Sequence, residues 1–150
     1  MGVGILADMN IYEIPLYIHF TGLVVALFSI IYADHMGFSW IRGKTAVIPE
    51  YKLKRAHYIV WCALIIMIAS GAYMAWPAKE ALFAQPLFLL KMFFVASLFI
   101  NALFVGNLMN VASIKPFSAL NPREKIPLFV SGAISTGAWI GAFVSAKLFF

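Results

Sequence analysis

Few residues of this sequence are equipped for chemistry, and the most exposed to question is His19. It sits inside an apolar run, IHFTGLVVALFS. An ionisable group in such a run is costly in lipid, so it is a functional candidate by default. A neutral imidazole is a good axial ligand for haem iron, with a histidine, a methionine or an open position opposite. The plain alternative is a hydrogen bond from His19 to a carbonyl or hydroxyl of a neighbouring helix. Lys91 and Glu13 belong to the same end of the molecule. Lys91 is a candidate for holding an acidic group or pairing with Glu13; otherwise its stem lies in lipid and its ammonium reaches the surface. Met67 falls at about the depth of His19 and is a candidate cofactor contact, against the commoner use of methionine as core filler.

A second set lies at the opposite end: Asp34, His35 and His57. Asp and His suit zinc, copper or iron, and paired histidines suit a second haem. Arg55, with Lys54, suits haem propionates. The alternative is helix-end polarity, with Asp34 pairing Arg55 or Lys54. The two sets form separate sites. His19 and His35 are sixteen residues apart, about 24 Å along a straight helix, and face nearly opposite directions. If a metal is bound without haem, His19, His35, His57 and Asp34 are the candidate ligands.

These residues must be positioned by helices in lipid. The chain has 150 residues, 63% hydrophobic and 11% charged, with mean hydropathy +0.92. A soluble domain is nearer half apolar and a quarter charged. Four apolar segments are long enough to cross a core of ~30 Å, which takes about 20 helical residues. They are expected at residues 11–34, 53–76, 87–109 and 127–149, in one domain. The fold class expected is all-α: a polytopic membrane protein, a four-transmembrane-helix bundle. Asn10 is a candidate N-cap for helix 1. Pro77 stops helix 2, and Asn121–Glu124 reads as a cap with proline at the first helical position.

Lysine and arginine placement sets the orientation. Arg42, Lys44, Lys52, Lys54, Arg55, Lys115, Arg123 and Lys125 fall on one side, against Lys79, Lys91 and Lys147 on the other. Both termini are therefore expected on the non-cytoplasmic side. Tyr12, Trp40 and Trp76 fall where interfacial aromatics belong. The start, MGVGILADMN, has no basic region and contains Asp8, so insertion through helix 1 is expected rather than a removable leader.

Small residues supply packing seams, since close backbone approach drives association in lipid. Helix 1 carries Gly22, Ala26 and Ala33 on the stripe of His19, which turns His19 into the bundle. Helix 4 carries Ala133, Gly137, Gly141 and Ser145 at four-residue spacing. Simple helix packing is one use of such a stripe, and room for a flat cofactor is the other. Asn101, mid-helix 3, is expected to bridge helices by hydrogen bonding.

Several classes are excluded. The single Cys62 has no partner for a disulfide, and no CxxC or CxxCH motif exists. The net charge of +5 sits at helix ends, and no aromatic-basic interleaving suggests nucleic acid.

Three segments together resemble a superfamily of small bacterial integral-membrane proteins. These are IHFTGLVVALFS in helix 1, HYIVWCALIIMIASGAYM in helix 2 and QPLFLLKMFFVASLFIN in helix 3. The pattern is similar to copper-resistance D-type domains and to the integral-membrane protoporphyrinogen oxidase family, whose members carry haem b. The resemblance covers about 90 residues. It implies that His19 is the family's helix 1 histidine and Lys91 its helix 3 lysine. Asn101 stands where the oxidase family has a second histidine.

The expectation is a haem b-binding redox protein, with one haem at His19 and a second at His35 and His57 as a variant of that reading. It would exchange electrons within or across a bacterial inner membrane, with a lipophilic or porphyrin-like substrate. The alternatives are a copper-handling membrane protein, and a non-catalytic helical subunit of a larger membrane complex or homo-oligomer.

Overall fold

A helix that is apolar on every face is stable only where lipid replaces water. Four such helices organise the computed structural model, which describes residues 13–149. They are α1 (Glu13–Ile41), α2 (Glu50–Ala75), α4 (Pro86–Ile114) and α5 (Pro122–Phe149). The short α3 (Lys79–Phe83) lies in the link after α2, so the expected helices 3 and 4 are α4 and α5. Each long helix is apolar enough to cross a membrane, and only 11–17% of each spanning window is buried within the chain. Phe28, Ile31, Phe93 and Ile140 stand exposed, which is tolerable only against acyl chains. The protein is an integral membrane protein. Tyr12, Asn10 and Asp8 lie outside the described residues.

The helices outrun the expected boundaries. At 29 residues, α1 is about 43 Å long, more than the hydrocarbon core requires. Helix 1 was expected to end at Asp34, but α1 runs on to Ile41. Its stop is Gly43, at φ +70. The Gly43 N–H bonds the Trp40 carbonyl and the Lys44 N–H bonds the Ser39 carbonyl. These two bonds form a Schellman closure, which needs a left-handed residue that glycine supplies. Similarly, α4 reaches Ile114 and α5 starts at Pro122, leaving Pro127 inside the helix. The start of α5 carries one half of a capping box. Glu124 Oε2 accepts the Asn121 N–H at 3.0 Å, while Oε1 pairs with Lys115 at 2.6 Å.

The extra turns exist because the loop end of the molecule is packed. Trp40, Ile48, Leu53, Ala112 and Leu120 are buried together, with Met36, Met109 and Phe117 against them. Trp40 donates its indole N–H to the Lys115 carbonyl at 3.0 Å and meets Phe117 edge-on at 5.2 Å. The Ile48 N–H bonds the Ala112 carbonyl. Trp40 is thus a core residue and not the interfacial anchor expected from its position. Trp76 does stand exposed, with Lys79 Nζ 4.5 Å above its ring.

Packing pairs the helices: α1 lies along α2, α4 along α5, and α2 touches α4 over a shorter stretch. Gly22 sets the first pair. A Cβ there would come within 2.9 Å of Met67 Cγ and 3.4 Å of the Ala63 carbonyl. In the second pair, Ser131 donates to Asn101 Oδ1 at 2.8 Å in a buried interhelical bond. Asn101 therefore bridges helices as expected. The α5 seam differs from the expected stripe. Ser131, Ala138 and Ser145 are buried and Gly141 faces Phe94, whereas Ala133 and Gly137 are exposed. Four-residue steps advance about 40° each around a helix, so a stripe of four drifts off one face; seven-residue steps stay on it.

Candidate functional site

His19 lies two turns into α1, on the face that Gly22 and Ala26 press against α2. Its Nδ1 lies 3.0 Å from the Met67 carbonyl and 3.1 Å from Ser70 Oγ. The Ser70 hydroxyl has one proton, and it goes back along its own helix to the Ile66 carbonyl at 2.7 Å. Nδ1 must then be the donor, shared between the Met67 carbonyl and the Ser70 oxygen. That fixes the neutral tautomer with its lone pair on Nε2. Among the described residues no group donates to Nε2. An imidazole whose Nδ1–H is held by a backbone carbonyl is the arrangement that orients metal-binding histidines.

The surroundings leave room for this ring. Gly71 faces it, and a Cβ there would lie 3.4 Å from His19 Cε1. The ammonium of Lys91, on α4, is near enough to act electrostatically on His19. Glu13 is exposed, and among the described residues Lys91 makes no ion pair with it. Met67 contributes its backbone carbonyl to His19, while its side chain packs on Gly22. Beyond Gly71, a shallow groove of about 430 Å³ opens along Ala72, Tyr73, Trp76 and Pro77.

The residues at the loop end do not gather in the same way. His57 accepts the Trp61 indole N–H on Nε2 at 2.9 Å, and Trp61 meets Phe99 of α4 edge-on at 5.0 Å. Gly106 of α4 lets that imidazole lie close to the helix. With Nε2 occupied, neutral His57 carries its proton on Nδ1. His35 and Asp34 are exposed on α1. Lys54 pairs with Glu50 at 2.6 Å, and Arg55 lines a groove against α1. Asp34 makes no ion pair with either among the described residues. Nor do any three His, Cys, Asp or Glu side chains among them come together as a metal site.

Sequence reasoning placed His19 at the depth of Met67. The alternative of a hydrogen bond from His19 to a carbonyl or hydroxyl of a neighbouring helix is present, with the Met67 carbonyl and Ser70 as partners that the sequence did not name. The Ser70–Gly71 pair was legible as a small step in an apolar helix, but which partner it served depends on the rotation of α1 against α2. The Trp61–His57 bond was open to inference from four-residue spacing, which places the two side chains on one face.

Comparisons with known protein families, curated proteins and solved structures find no match to this chain.

Proposed function

We propose that this chain is a membrane redox protein that holds haem b through His19. The observation that carries the reading is the commitment of His19 Nδ1–H to the Met67 carbonyl, which leaves the Nε2 lone pair free. The donor set fits a haem better than a bare ion. Copper or zinc takes most of its ligands from side chains. A porphyrin brings four nitrogens of its own and asks the protein for as little as one imidazole. Lys91 supplies a cation for a propionate on the same side of the membrane. When bound, the haem would supply one-electron chemistry. The chain's own residues would orient the imidazole, leave space at Gly71 and neutralise acidic groups. The long helices are apolar and largely unburied within the chain, so the reading takes a lipophilic or porphyrin-like electron donor that reaches the site from the bilayer. The eight-to-three distribution of Lys and Arg supports termini away from the cytoplasm, in a bacterial inner membrane.

The test is the visible spectrum of the protein purified in mild detergent from haem-supplemented cells, oxidised and then reduced with dithionite. A Soret band with sharpened α and β bands, at one haem per chain, is expected. His19→Ala should lose it and His57→Ala should keep it. A colourless wild-type protein, or a spectrum unchanged in His19→Ala, overturns the assignment. Stoichiometric copper in a colourless preparation replaces it with the metal-handling reading.

A further inference from the structure

At the loop end, residues of α1 and α2 line a groove of about 400 Å³, within the range of small-molecule sites. Its two ends differ in chemistry. Tyr51, Lys52 and Arg55, from the first turns of α2, form one end with Tyr32 of α1. Phe28 and Ile59 line the other, farther from the loops and deeper in the spanning region. We propose that this groove binds an anionic phospholipid, with the phosphate at Lys52 and Arg55 and an acyl chain along Phe28 and Ile59.

Charge is the first argument. Lys52 and Arg55 are three residues apart, hence neighbours on one face of α2. Among the described residues neither makes an ion pair. The lysine between them, Lys54, is already paired with Glu50 at 2.6 Å. Two uncompensated cations at one end of a groove attract an anion, and a guanidinium matches phosphate oxygens in pairs. A zwitterionic headgroup brings its own cation and is less well suited. Depth is the second argument. The basic end lies where a helix leaves the hydrocarbon, the level at which tyrosines and lipid phosphates are found. Tyr32 and Tyr51 are 50% and 68% exposed, so their hydroxyls are available there. The groove then continues into apolar surface, and Phe28 is 71% exposed. A soluble phosphate would leave that surface uncovered, whereas a lipid covers it. Basic pockets between helices at a membrane face suit anionic headgroups for this reason.

The experiment uses the full chain reconstituted with equimolar phosphatidylglycerol and phosphatidylcholine vesicles, re-extracted in detergent, with retained lipid measured by mass spectrometry. Phosphatidylglycerol should be retained in preference to phosphatidylcholine. Lys52→Gln with Arg55→Gln should lower its retention by about tenfold or more, while Lys54→Gln should behave as wild type. Exchange of the two cations, Lys52→Arg with Arg55→Lys, should preserve retention and shows that a loss in the glutamine variant reflects charge rather than folding. Equal retention of both lipids, no loss in the double glutamine variant, or an equal loss in Lys54→Gln overturns the proposal. So does release of the lipid by millimolar inorganic phosphate, which would mark a soluble-anion site.

Discussion

Gly137 and Gly141 sit one turn apart on α5, and the same substitution at each should have opposite consequences. A Cβ built on Gly137 meets nothing within 4 Å. One built on Gly141 falls 2.5 Å from Phe94 Cε2 and 2.6 Å from Cε1, with Cζ nearer still. An aromatic ring has no soft end to swing away. Either Phe94 leaves its rotamer or α4 and α5 move apart, and overpacking of this kind costs about 1–3 kcal/mol. Replacing glycine by alanine in a helix also gains about 1 kcal/mol of intrinsic preference. That gain is common to both sites and cancels in the comparison. Gly141→Ala should therefore be about 2 kcal/mol less stable than Gly137→Ala. The assay is reversible unfolding in mixed micelles, titrated with a denaturing detergent and followed by circular dichroism. Adding Phe94→Leu to Gly141→Ala should recover part of the loss, because a smaller side chain vacates the space the new methyl needs. Two alanine variants of equal stability, within about 0.5 kcal/mol, would refute the placement of the α4–α5 seam.

Other perturbations address other contacts. Ser131→Ala removes the donor to Asn101 Oδ1 and should cost about 1 kcal/mol in the same assay; Asn101→Leu added to it should cost less than the sum, since no acceptor is then left unpaired. Trp40→Phe keeps the ring against Phe117 but loses the bond to the Lys115 carbonyl; a loss of about 1 kcal/mol is expected, with faster tryptic cleavage at Arg42 and Lys44. Gly71→Ala places a methyl 3.4 Å from His19 Cε1, so in haem-loaded protein it should shift the visible bands without abolishing them. Trp61→Phe frees His57 Nε2, and if His19 alone holds the haem the spectrum should not change.

Hydropathy made the four spans legible because a helix in lipid must be apolar on all sides, whatever its neighbours. The boundaries were less legible because they answer to a different environment. Residues 35–41 look like a loop by polarity, with His35, Gly37 and Ser39 among them. They are helical because Trp40 is buried against the following loops and Gly43 closes the helix. That packing joins residues 75 positions apart, Trp40 and Lys115, and no local pattern carries it. The α5 seam failed for a related reason. Small residues recur on more than one face of that helix, and only the partner helix selects which face is used. Phe94 selects Gly141, and Asn101 selects Ser131.

The histidines bear the same lesson on the side of chemistry. All three were equally visible as residue types near or within apolar segments, and spacing alone separated them into two layers. What distinguishes them is which ring nitrogen is already engaged. At His19 the carbonyl of Met67 takes the Nδ1 proton and leaves Nε2 with its lone pair. At His57 the indole of Trp61 takes the Nε2 lone pair. One imidazole thereby keeps a lone pair that meets no donor among the described residues, and the other is held as part of the α2–α4 contact. The difference rests on partners 48 residues away in one case and four in the other. The bond that orients His19 therefore depends on the rotation of α2, whereas the one that engages His57 is internal to α2. That helix presents Met67 and Ser70 to α1 while it presents His57 and Trp61 to α4. A change that turned α2 about its axis would break the His19–Met67 bond between helices, whereas the His57–Trp61 bond lies within α2 and would turn with it, losing only the Trp61 contact with Phe99.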